Sequence, residues 1–84
     1  PLLGATTKVV LRRERKGHGG KTVTVVEGLG LPAPALEALS RDLRKALGCG
    51  SSVGGGNVVL QGDVVERVRP LLERLGARRI VAGN

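Results

Sequence analysis

Glu14-Arg15-Lys16-Gly17-His18-Gly19-Gly20-Lys21-Thr22 runs straight into Val23-Thr24-Val25-Val26. Thr22 to Val26 is β-branched throughout, the composition of a strand rather than a helix. Lys8 to Arg13, on the other side, alternates loosely, with Val9 and Leu11 on one face and Lys8, Val10 and Arg12 on the other. Two strands flanking a Gly-rich polar segment make a hairpin, with a connection longer than a minimal two-residue turn. The same reading excludes a nucleotide-binding loop. The pattern G-x-x-x-x-G-K-[ST] needs Gly five places before Gly20, where Arg15 stands, and it leads into a helix.

Outward from this hairpin, Pro1 to Thr7 reads as a flexible tail and residues 8–84 as one small domain. Gly28 to Pro34 is a linker, and Pro34 suits the first turn of a helix. Leu36, Leu39, Leu43 and Leu47 follow at helical spacing, and Gly48 stops the helix. Ser51 to Val53 and Asn57 to Gln61 read as strands joined by Gly54-Gly55-Gly56. Asp63 opens a second helix, with Glu66 at capping-box spacing and Gly76 at its end. Pro70 lies inside this helix, where it removes an amide donor; no function is assigned to it. Arg78 to Val81 is a final strand.

The order is β-β-α-β-β-α-β, and each helix has one apolar stripe, so each covers a sheet on one side. The predicted fold is α+β: a two-layer sandwich with two helices on one face of a mostly antiparallel sheet of about five strands. In the register read from the sequence, Lys8, Arg12, Thr22 and Thr24 fall on the uncovered face.

Composition narrows the function. The 84 residues carry 14 Lys and Arg against 7 Asp and Glu, a net charge of +7. That excess on a small domain favours a polyanionic partner. Arg outnumbers Lys ten to four, which favours bidentate phosphate contacts. Phe, Tyr, Trp and Met are absent, so the core is aliphatic and single-stranded bases find no aromatic to stack on. Nucleic acid would be read by shape, through phosphates and sugars. An acidic protein surface is the other candidate.

Arg15, Lys16 and Lys21 supply charge in the hairpin loop, while Gly17, Gly19 and Gly20 leave its backbone free to approach phosphates. Edge protection alone would not need three glycines. His18, the sole imidazole, has no paired carboxylate and reads as an RNA-contacting or surface group. Arg41, Arg44 and Lys45 share the outer side of the first helix, where a solvated face diluted by Asp42 competes with a binding patch. Glu66, Arg67, Arg69, Glu73 and Arg74 mix signs on the second helix and read as a solvated face. Ser40, Ser51 and Ser52 have no activating partner. Cys49 alone makes neither an internal disulfide nor a zinc site, and reads as a reduced packing thiol. Gly54 to Gly56 is a turn or a tip that touches a partner. No catalytic residue, metal site or cofactor is called for, and no apolar run approaches membrane-spanning length.

Arg15-Lys16-Gly17-His18-Gly19-Gly20-Lys21-Thr22-Val23-Thr24 leading into Glu27-Gly28-Leu29, then Cys49-Gly50 with Val53, then Leu60-Gln61-Gly62-Asp63, stand in an order and spacing that resembles the family of eukaryotic translation initiation factor 1. The likeness extends from Lys8 to Gly83, and the Gly-rich loop places it nearest the bacterial and archaeal YciH-type relatives. It implies a non-catalytic, monomeric cytoplasmic factor that binds the small ribosomal subunit near the P site and influences start-site and initiator-tRNA selection. By position it assigns ribosomal RNA binding to Arg15, Lys16, Gly17, His18, Gly19, Gly20 and Lys21, with Arg41, Arg44 and Lys45 adding contacts. It gives Gly54, Gly55 and Gly56 the tip that approaches initiator tRNA, with other initiation factors as further partners. The alternative is a general RNA-binding or protein-interaction module acting off the ribosome.

Overall fold

Alternation in the first strand turns Val9 and Leu11 inward, and the rest of the sheet repeats that choice. The computed structural model describes residues 2–15 and 19–84. Its elements are β1 (Lys8–Glu14), β2 (Val23–Glu27), α1 (Ala33–Leu47), β3 (Ser51–Gly54), β4 (Asn57–Gln61), α2 (Val65–Arg74) and β5 (Arg79–Ala82). The strands form one five-stranded sheet in the order β3-β4-β2-β1-β5. Every neighbouring pair is antiparallel except β1 with β5. The predicted α+β class and element order are those observed.

Register puts Leu11 beside Val26, Val26 beside Val58 and Thr24 beside Leu60. Leu11, Val26, Val58 and Leu60 meet Leu36, Leu39, Leu43 and Leu47 of α1 and Val65, Val68 and Leu72 of α2 in one aliphatic core. α1 packs over β3 and β4, and α2 touches β1. Ser40 and Ser51 pin α1 to β3: the Ser40 hydroxyl donates to Ser51 Oγ at 2.8 Å, and the Ser51 hydroxyl donates to the Ser40 carbonyl at 3.0 Å. Both hydroxyls are thus structural, which accounts for their lack of an activating partner.

Four expectations need correction. The described part of the tail read at 1–7, residues 2–7, does not hang free, because Leu3 is 1% exposed in the core and its N–H donates to the Leu75 carbonyl at 2.7 Å. Thr24 lies on the covered face, at 0% exposure, since it shares parity with Val26. The capping box at Asp63 and Glu66 does not form. Asp63 instead pairs with Arg13 at 2.8 Å, Glu66 lies 3.8 Å from Arg69, and α2 begins at Val65 without a side-chain cap of its own. The buried Thr24 hydroxyl takes that role from outside the helix, accepting the Val64 N–H at 2.9 Å and donating to the Gly62 carbonyl at 2.8 Å. Lastly, the uncovered face is less polar than read. Val23 and Val25 are buried there, because β2 is central and its neighbours Glu14, Arg12, Val59 and Gln61 flank them in register.

Pro70 sits in α2 on its exposed side, so the missing N–H leaves the core untouched. Cys49 is half-buried and packs against the core.

Candidate nucleic-acid interface

The β1–β2 connection runs from residue 15 to 22, and its described part has a defined shape. Arg15 folds back across it, donating from Nε and Nη2 to the Gly20 carbonyl at 3.3 and 3.0 Å. Of five guanidinium N–H donors, the other three have no acceptor among the described residues. Gly19 and Gly20 have φ of +64° and +80°, consecutive left-handed residues that only glycine adopts without strain. A Cβ on either would meet no atom within 4 Å, so backbone conformation rather than crowding selects glycine. Arg15, Gly19, Gly20 and Lys21 are all exposed. Lys16, Gly17 and His18 lie outside the described residues.

Sheet register decides what lies beside this loop. Thr22 accepts the Gly62 N–H at 2.9 Å, and Gly50 accepts the Gln61 N–H at 2.8 Å. Gln61 is itself the register partner of Val23. The end of β4, the start of β3 and the C-terminus of α1 therefore share the loop's end of the sheet. α1 closes at Gly48, whose N–H donates to the Arg44 carbonyl at 2.8 Å. Arg44 and Lys45 occupy its last turn, with Arg41 one turn before, and all three are exposed. The fold thus brings the predicted helix cations to the end that holds the loop. Cations here also complement the helix dipole, a structural use that does not compete with phosphate binding.

Two cations that the sequence did not single out belong to the same end. Arg67, read as part of a solvated face, is exposed and donates from Nη2 to the Leu47 carbonyl at 3.0 Å. No periodicity within α2 shows that its first turn reaches the end of α1. Arg13 lies two residues before Arg15, with its guanidinium on Asp63.

The tip Gly54–Gly56 stands apart from this cluster. Val58 pairs with Val26 and Gly54 with Asn57, so the β3–β4 turn lies at the opposite end of the sheet from the loop before Val23. A strand of seven residues spans about 20 Å, which sets the scale of that separation.

On the uncovered face, Arg12 bridges two acids, with Nη1 at 3.0 Å from Glu14 Oε2 and Nη2 at 2.8 Å from Glu27 Oε2. The Glu27 hydrogen bond raises the Arg12 pKa above its ordinary value, outweighing the opposing effect of desolvation, and Glu14 adds to the rise. Two carboxylates to one guanidinium make this patch a poor seat for an acidic protein. Among the described residues no group of His, Cys, Asp and Glu is arranged to hold a metal ion. No described helix is long and apolar enough to cross a membrane.

Residues 5–78 match the family described as translation initiation factor SUI1. The chain belongs to the SUI1 family. It is 35% identical over 76 residues to YciH of Escherichia coli, itself described as uncharacterized, covering 90% of this chain and 70% of that protein. It is 40% identical over 61 residues to a protein translation factor SUI1 homolog of Ignicoccus hospitalis, covering 73% of this chain and 59% of that protein. A SUI1 homolog of Pyrococcus horikoshii is 36% identical over 69 residues, 82% of this chain and 67% of that protein. The resemblance read from the loop and from the Cys49-Gly50 and Gln61-Gly62-Asp63 segments is therefore a family relationship, reaching both bacterial YciH and archaeal SUI1 proteins.

Proposed function

We propose that this chain is a non-catalytic translation initiation factor that binds the small ribosomal subunit through the loop end of its sheet. The observation that carries the reading is the gathering of Arg15 and Lys21, on the β1–β2 connection, with Arg41, Arg44 and Lys45, on α1, at one end of the sheet. Family membership and the printed names of the archaeal relatives support the role in translation. Lys16 and His18 stand between Arg15 and Lys21 in the sequence and belong to the proposed contact. In this reading the loop meets ribosomal RNA near the P site and biases start-site and initiator-tRNA selection. The Gly54–Gly56 tip, at the far end, offers initiator tRNA only backbone groups. The factor acts as a cytoplasmic monomer without a cofactor, alongside other initiation factors.

The chemistry is electrostatic. Cations displace counterions condensed on RNA, so each neutralised phosphate steepens log K against log salt by roughly 0.7 to 0.9. Guanidinium groups add bidentate geometry, and the left-handed Gly19-Gly20 pair lets amides approach a curved backbone. Co-sedimentation with purified small subunits across a salt series tests this. Binding should weaken steeply with salt and collapse when Arg15, Lys16 and Lys21 are changed to Glu. Salt-indifferent binding would sink the reading. A module acting off the ribosome finds less support, because the uncovered face is occupied by the Arg12, Glu14 and Glu27 cluster. Capture from lysate with and without RNase separates the two, since a non-ribosomal partner that survives RNase belongs to the alternative.

A further inference from the structure

Exposed positive charge is not confined to the loop end. Lys8 at the start of β1 and Arg79 at the start of β5 are direct register partners in the parallel pair. Both are exposed, and Arg78 beside them is exposed too. Val9, Leu11 and Ile80 face the core, so Lys8 and Arg79 project together from the uncovered face. Neighbouring strands lie about 4.8 Å apart, close enough for the two cations to close on one anion. No ion pair joins Lys8, Arg78 or Arg79 to an acid among the described residues. Glu27, the nearest acid on that face by register, is held by Arg12.

Like charges directly opposed on adjacent strands destabilise a sheet. Protection of the free β5 edge explains cations on β5, but Lys8 is on β1, which lies inside the sheet between β2 and β5. The next register pair on this face is Val10 with Val81, half-buried and 37% exposed respectively. It forms an apolar step beside the two charges. A cation pair next to an apolar step fits a sugar–phosphate unit better than a bare carboxylate side chain.

We propose that Lys8 and Arg79 form a second phosphate-binding site for RNA at the end of the sheet opposite the loop. It binds one phosphate between the two cations and rests the adjoining ribose on Val10 and Val81. The domain then touches RNA at both ends of its sheet and bridges two segments. This site goes beyond the ribosomal reading and stands independently of it.

The test is amide chemical-shift mapping of the isotopically labelled chain with a trinucleotide RNA, whose phosphates do not span the two ends. Shifts at residues 8, 10 and 79–81, saturating independently of shifts at 13–22 and 44–48, are expected. The exposed double substitution Lys8→Gln with Arg79→Gln should raise Kd at that site at least tenfold while the rest of the spectrum, and loop-end binding, stay as they were. Shifts confined to the loop end would overturn the second site and leave the proposed function standing. Shifts confined to residues 8, 10 and 79–81 would do the reverse, and a chain silent at both ends overturns both. A response at this site to hexaglutamate but not to the trinucleotide would also overturn it, in favour of an acidic protein.

Discussion

Two hairpins build most of this sheet, and they are connected in opposite ways. β3 and β4 are joined by Gly55 and Gly56 alone, with φ of +59° and +79°. That is the two-residue connection whose twist matches paired strands. β1 and β2 pair just as regularly, with Glu14 opposite Val23 closing the ladder, yet residues 15 to 22 intervene. Topology requires no more than two residues there. The additional length brings three cations and three glycines, which are surplus to the fold and therefore point to a ligand. The short turn shows what the sheet needs, and the long one carries the charge on which the proposed RNA contact rests.

The largest effect that would break this comparison is charge reversal in the long connection. Changing Arg15, Lys16 and Lys21 to Glu should weaken small-subunit binding by about a hundredfold to a thousandfold, at roughly a tenfold loss per charge-assisted contact. Thermal stability should barely move. An equal loss of stability would mean that the loop is part of the fold after all.

Next in size is the brace behind the loop end. Thr24→Val removes the hydroxyl that accepts the Val64 N–H and donates to Gly62. A buried N–H and a partly buried carbonyl lose their partner, at a cost of about 1–3 kcal/mol, read as a lower denaturation midpoint with an unchanged m-value. The short turn supplies the next contrast. Gly56→Ala forces a left-handed alanine and should destabilise by about 1 kcal/mol, with RNA affinity unaltered. The smallest expected effect is at the exposed pair of Arg13 and Asp63. Asp63→Ala should change stability by no more than about 0.5 kcal/mol, and by freeing Arg13 at the loop end it should slightly strengthen RNA binding.

How much of this was legible in the sequence follows the same division. Strand alternation in Lys8 to Arg13, the leucine spacing from Leu36 to Leu47 and the glycine stops report local periodicity, and they located the elements. What escaped depended on pairing across distance. Thr24 looked solvent-facing until register set it opposite Leu60 on the covered side. Asp63 looked like a helix cap because the sequence does not show that Arg13, fifty residues away, competes for it. Leu3 looked like tail until the Leu75 carbonyl gave its backbone a partner. At the candidate site the loop was readable from charge and glycine alone. Its union with Arg44 and Lys45 required the path through Thr22, Gly62, Gln61 and Gly50. Arg67 was missed for the same reason.

The central claim is that the β1–β2 connection exists to neutralise RNA phosphates. The most direct measurement compares the salt dependence of small-subunit binding for the natural chain and for one in which residues 15–22 are replaced by Asn-Gly. The shortened hairpin should fold at least as well, since closing a loop of two rather than eight residues saves about 1 kcal/mol of entropy. Its slope of log K against log salt should be shallower by about 2 to 3, the contribution of three lost phosphate contacts. A folded, shortened chain with an unchanged slope and affinity would contradict the account.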